Sequence, residues 1–186
     1  MADSAVVVAA LEVAAHPAAG KQMLRRWLQH LTISHRALRR YFPPATLAAI
    51  DAAIATSEQQ HRAEIRCVVE TALSASELFR GVSSAARAAE IFSSLRVWDT
   101  AENNGVLLYV LLAERKIEIV ADRGFAASVP AEVWQEICAQ MAEEFAAGHY
   151  DAGVLGALSR ISAIACRCFP AQGNNANELP DRTVLF

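Results

Sequence analysis

Asp99, Glu102, Asn103 and Asn104 place two carboxylates and two amides within six residues, with Thr100 among them and Gly105 immediately after. Hard cations take oxygen ligands of this kind, from carboxylates, amide carbonyls and backbone carbonyls. Glu118 and Asp122, from the segment that follows, could complete such a set. The spacing is not that of an EF-hand loop. Asn-Asn-Gly is equally ordinary turn chemistry, since asparagine and glycine tolerate positive φ. Both readings stay open at this stage. Trp98 reads as a ring at the base of the loop, packed in the core or half-buried. Further upstream, Arg66 could grip a phosphate or carboxylate in two-pronged fashion. It could also pair with Glu64 on its own strand, or Glu64 with Arg62. His61 reads as a solvated helix end.

The elements around these residues can be read from periodicity. Val106 to Ala113 is an apolar run. Glu114-Arg115-Lys116 reverses the chain, and Ile117, Ile119 and Ala121 then alternate with Glu118, Val120 and Asp122. The pattern predicts a buried strand, a tight turn and a second antiparallel strand. Glu64 to Thr71 alternates as well, with Ile65, Cys67 and Val69 on one side. It should run parallel to the 105–113 strand through a right-handed helical crossover. The polar loop is thereby expected at a strand end, where open α/β sheets place their sites.

Helices are predicted over Met23–Tyr41, about 44–60, Ser84–Leu95, from Pro130 to a C-cap at Gly148, and from Tyr150 to before Pro170. In the first, Leu24, Trp27, Leu28, Leu31 and Leu38 are expected to pack on the domain and leave the arginines in water. The order is α-α-β-α-β-β-α-α. It predicts an α/β fold, a three-layer α/β/α sandwich with a small mixed sheet flanked by helices on both faces. Residues 1–20 read as a poorly ordered or helical lead-in, 21–43 as a basic amphipathic helix, 44–170 as the α/β domain and 171–186 as a flexible tail.

The bulk composition excludes some classes of function. The 186 residues are 54% hydrophobic and 20% charged, with a net charge of −3, which gives no general attraction to nucleic acid. The charge is uneven: Lys21, Arg25, Arg26, Arg36, Arg39 and Arg40 fall within twenty positions, and no acid lies between Glu12 and Asp51. Arg25, Arg26, Arg36, Arg39 and Arg40 thus offer a surface for a protein partner or an anionic membrane. Cys67, Cys138, Cys166 and Cys168 show no metal-ligand or redox spacing and read as reduced, mostly buried thiols. No P-loop, GxGxxG, GxSxG or HExxH is present. No catalytic residue can be assigned, and enzymatic activity is left open. The expected location is cytoplasmic, with a peripheral seat on a membrane as the alternative.

Glu64–Thr71, Ile91–Asp99, Asn104-Gly105-Val106-Leu107-Leu108, Ile117–Gly124 and Gly148-His149-Tyr150-Asp151-Ala152-Gly153-Val154 together resemble the TPM-domain family. Its founders are a thylakoid lumen protein, a photosystem II repair protein and an acetylcholine-receptor modulator. The resemblance spans about 55–170. It implies an α/β/α sandwich with a cleft that binds Ca²⁺ or Mg²⁺, and a weak acid phosphatase activity claimed for plant members. The signal peptide and trailing membrane helix of many bacterial members are not legible here, so a short form is expected.

Carried over from the family are Asp99, Asn104 and Gly105. Asp122 stands where members usually have glycine, as this chain's own addition. The resulting metal set is Asp99, Asn104, Asp122 and Glu118, with Trp98, Thr100, Asn103, Gly105, Arg66 and Arg123 lining the cleft. The function this implies is a divalent-cation-binding interaction module that assists maintenance of a membrane-associated or envelope protein. The alternative is a metal-dependent phosphomonoester hydrolase, with Arg66 or Arg123 neutralising charge and Asp99 as base or ligand.

Overall fold

A computed structural model describes residues 7–10, 19–33, 35–172 and 177–186. Strand β2 (Glu64–Glu70) and strand β3 (Gly105–Leu111) are buried along their whole length. They pair in parallel from Glu64 opposite Gly105 to Glu70 opposite Leu111. Strands covered on both faces need continuous apolar runs, which Val106–Leu111 supplies. Strand β4 (Lys116–Ala121) returns antiparallel to β3 through a turn at Leu112–Arg115, where Arg115 has a φ of 52°.

Two edge strands complete the sheet. Strand β1 (Val7–Ala10) lies antiparallel on β4, and strand β5 (Val184–Leu185) lies parallel on β2. The order is β1-β4-β3-β2-β5. Both edges correct the reading of the termini. Part of the expected lead-in is a strand, while residues 1–6 and 11–18 lie outside the described residues. Of the expected tail, residues 177–186 are tied down rather than loose, and 173–176 lie outside the described residues. Glu64 accepts the Glu178 and Leu179 amides at 3.1 Å, and Asp51 accepts the Thr183 amide at 2.8 Å.

The predicted first helix is two helices, α1 (Ala19–Thr32) and α2 (His35–Tyr41). Pro43-Pro44 then starts α3 (Pro44–Glu58), the second proline using a position whose N–H has no helical partner. The crossover between β2 and β3 holds α4 (Ala75–Phe79) and α5 (Ser84–Ser94). A capping box of Ser74 and Glu77 starts α4, and the Ser83 hydroxyl starts α5. Helices α6 (Ala131–Ala146) and α7 (Tyr150–Cys168) meet at Gly148, whose φ of 88° suits a residue without Cβ.

One face of the sheet (Ile65, Cys67, Val69, Val106, Leu108, Ile117, Ile119) packs on α2, α3, α6 and α7. The other (Val68, Leu107, Tyr109, Leu111, Val120) packs on the α4–α5 crossover. These are the three layers that the alternation predicts. Cys67 and Cys138 are buried thiols, as read from their elements, and burial pushes both up to about 12.

Candidate functional site

The polar loop between α5 and β3 is built on reversals at Arg96 and Asn103, both in the left-handed region (φ 55° and 52°). It feeds the first residue of β3, so it lies at the amino-terminal ends of the parallel strands. This corrects the expected location, because ligand crevices of open α/β sheets lie at the carboxyl ends.

Most of the polar side chains here fasten the loop to its neighbours. Arg62 pairs with Glu102 at 2.9 Å, and the Arg123 guanidinium donates to Asn103 Oδ1 at 2.6 Å. Asn104 Nδ2 donates to the Arg62 carbonyl at 2.6 Å, and its backbone N–H donates to Thr100 Oγ1 at 3.0 Å. The Ala101 amide donates to Glu178 at 2.9 Å. Gly105 must lack a side chain, since a Cβ there would stand 1.9 Å from the Val97 carbonyl oxygen.

Asn103, Asn104, Gly105, Asp122 and Arg123 do meet at one rim, where the Asp122 N–H donates to the Gly105 carbonyl at 2.9 Å. Asp122 Oδ1 accepts the Arg123 N–H at 2.7 Å. Burial raises the Asp122 carboxyl, against the lowering effect of that bond and of the Arg123 charge. Asp122 Oδ2 and Asn104 Oδ1 are buried oxygens without a hydrogen-bond partner.

Other expected members stand elsewhere. Asp99 is exposed on the outer loop and paired with Arg96. Trp98 is 48% exposed, which leaves the half-buried of its two readings and excludes the core one. Glu118 lies four residues back along β4 from Asp122, about 13 Å from it. There it is buried and accepts the Ser84 hydroxyl at 2.5 Å. Arg66 is buried one turn of the pleat inward from the rim and does not pair with Glu64. Burial lowers its pKa, opposed by the carboxylates of Glu58, Asp181 and Asp51. His61 is fully buried, with Nδ1 3.0 Å from the Ala63 carbonyl, not a solvated helix end. Among the described residues no three His, Cys, Asp or Glu side chains are disposed to hold a metal. Coordination at the rim would therefore draw on the Asn104 amide, Asp122 and backbone oxygens.

The carboxyl end of the sheet carries what the sequence did not reveal. Glu114 Oε1 accepts from Arg26 Nε at 2.8 Å and from His30 Nε2 at 2.9 Å. His30 Nδ1 accepts the Leu73 N–H at 2.9 Å, which makes Nε2 the protonated nitrogen of the neutral ring. Burial works to raise the Glu114 carboxyl, but the bonds from His30 and Arg26 outweigh it and hold it below its ordinary value. This pin turns the polar residues of α1 inward, and its leucines outward. Leu24, Leu28 and Leu31 are 63%, 53% and 71% exposed, in line at i, i+4 and i+7. Arg25 on α1 and Arg36, Arg39 and Arg40 on α2 are exposed as well. The expectation that these leucines pack on the domain is thereby corrected. Among the described residues, Trp27 of α1, Ile33 just after it, and Leu38 and Tyr41 of α2 reach the cores.

Beside the pin, a cavity of about 670 Å³ lies between α1, α2, the end of β3 and the α6–α7 corner. Behind it, Glu70 is held by Arg87 at 2.8 Å and by the Tyr109 hydroxyl at 2.5 Å. The legible signal for that network was charge at Glu64, Arg66 and Glu70 on a strand buried on both faces.

The family model described as TPM domain matches residues 38–164. Among solved structures, the chain is similar to the NMR structure of BA42 protein from the psychrophilic bacterium Bizionia argentinensis. The TM-score is 0.68 and the identity 23%, covering 76% of this chain and 93% of that one. At that identity the likeness speaks for the fold. No curated protein matches the chain significantly.

Proposed function

This chain belongs to the TPM-domain family, and from that premise we propose that it is a non-catalytic docking module, seating its α1–α2 face on an anionic membrane and assisting a partner held there. One observation carries the reading: the outward stripe of Leu24, Leu28 and Leu31 on α1, with exposed arginines on α1 and α2. Each leucine withdrawn from water contributes about 1.5–3 kcal/mol. Each arginine near an anionic surface adds about 1 kcal/mol. No helix among the described residues is long and apolar enough to cross a membrane, so the attachment would be peripheral. Co-sedimentation with phosphatidylglycerol vesicles tests it. Binding should fall steeply in Leu24→Glu/Leu28→Glu and in Arg36→Glu/Arg39→Glu, and phosphatidylcholine vesicles should not bind. Indifference of binding to both double variants refutes it.

A divalent cation at the rim is a second reading, favoured by the buried, unpartnered oxygens of Asn104 and Asp122. Oxygen donors of this type suit Ca²⁺ or Mg²⁺. An NMR titration with either ion should move the amides of 99–105 and 120–124, and amides that stay still exclude it. The phosphatase reading has less support. Cys67 and Cys138 are buried with raised pKa, and the rim shows no base–nucleophile pair.

A further inference from the structure

The cavity at the carboxyl end of β3 continues into a second, of about 450 Å³, through a shared wall of Tyr41, Arg115, Phe145 and Tyr150. Three guanidinium groups, from Arg25, Arg40 and Arg115, line the continuous groove, and none of them forms an ion pair among the described residues. Two carboxylates face it. Glu114 is taken up by Arg26 and His30, which leaves Asp151 alone against three cations.

Arg115 sits in the left-handed region of the β3–β4 turn, so its position is set by the hairpin rather than by a helix. The Tyr41 and Tyr150 rings stack with centroids 4.3 Å apart. Burial raises the Tyr150 hydroxyl, which keeps it a proton donor at neutral pH. The apolar lining of the first cavity includes Val110, Leu112 and Phe145. The combination is a cationic, phenol-bearing mouth on an apolar trough, of a size suited to a small organic ligand.

We propose that this groove binds an amphiphilic carboxylate, with the head at Arg40, Arg115 and the paired tyrosines and the chain along Val110, Leu112 and Phe145. A planar carboxylate matches a guanidinium fork with two parallel hydrogen bonds and still accepts from a phenol. The trough removes the chain from water, which neither the head alone nor the docking stripe on the outer face of α1 would do. This inference goes beyond membrane docking and stands or falls separately from it.

Octanoate, titrated into the full chain by calorimetry at neutral pH, is the test, with acetate, 1-octanol and octyl phosphate as comparisons. Octanoate should saturate at least tenfold more tightly than acetate or octanol and should move the amides of 112–115 and 150. Arg40→Gln and Arg115→Gln should each weaken it about tenfold, the scale of one charge-assisted hydrogen bond. Arg39→Gln and Leu28→Glu, outside the groove, should leave it unchanged. Should Arg115→Gln fail to fold, Arg40→Gln and the wild-type amide shifts decide. Equal binding of octanol, indifference to Arg40→Gln, or octyl phosphate binding more than tenfold tighter than octanoate overturns the assignment. Loss of binding in Leu28→Glu would also overturn it, by placing the ligand on the docking stripe instead.

Discussion

Replacing Glu114 by alanine should release α1 from the domain. The carboxylate accepts two charge-assisted hydrogen bonds, from Arg26 at 2.8 Å and His30 at 2.9 Å, and its side chain is only 14% exposed. Such bonds contribute about 1.5–3 kcal/mol each. Removing one side of a buried charged pair costs about 3–5 kcal/mol, because the remaining charge stays buried. Glu114→Ala should therefore cost about 3 kcal/mol, and Glu114→Gln about half of that, since a neutral acceptor remains.

The loss should be local, as among its described residues α1 reaches the cores through Trp27, with Ile33 just after it. Hydrogen exchange measures it directly. The Leu73 amide, whose acceptor is His30 Nδ1, and the α1 amides should exchange about a hundredfold faster, the factor that corresponds to 3 kcal/mol, while amides of β3 keep their protection. Vesicle binding should fall in parallel, because the leucine stripe is no longer oriented. The pH dependence has a defined sign. The Glu114 pKa is depressed in the folded protein, so its contribution is complete above the unfolded value and is lost as pH falls through the folded one. Unchanged exchange at Leu73 and α1 in Glu114→Ala would refute the claim that this carboxylate orients the helix.

Glu58 should behave in the opposite sense. Burial pushes its carboxyl from 4.5 to about 8, so its contribution is complete below the unfolded value and is lost as pH rises through the folded one. Glu58→Gln should flatten the decline in urea-measured stability between about pH 5 and 8. Gly105→Ala should lower the melting temperature by many degrees or abolish folding, because the new Cβ meets the Val97 carbonyl oxygen at 1.9 Å; thermal unfolding followed by circular dichroism reads this. A thiol-reactive reagent should modify Cys166 and Cys168, both half-buried, while Cys67 and Cys138 react only after denaturation. Mass spectrometry of the labelled peptides distinguishes the pairs.

Local pattern determined much of this molecule. The apolar run of β3, the alternation of β2 and β4, the prolines before α3 and the serine cap of α5 each act over a few residues, and each produced the element it signalled. Their order sufficed for a parallel pair, a hairpin and three layers, since connection length and handedness leave few arrangements. The meeting of Asn104 with Asp122 was also legible, because both flank paired strands. Long-range contacts decided the rest. Edge strands of four and two residues carry no period of their own and exist only on the sheet edge they join. The leucines of α1 have the spacing of a core face, yet an acid 84 residues beyond His30 turned them toward water. Hydrophobic period locates a stripe on a helix, but which side faces the domain depends on the free energy of every group that must be buried there. Here a histidine and an arginine with a carboxylate waiting for them outweighed three leucines.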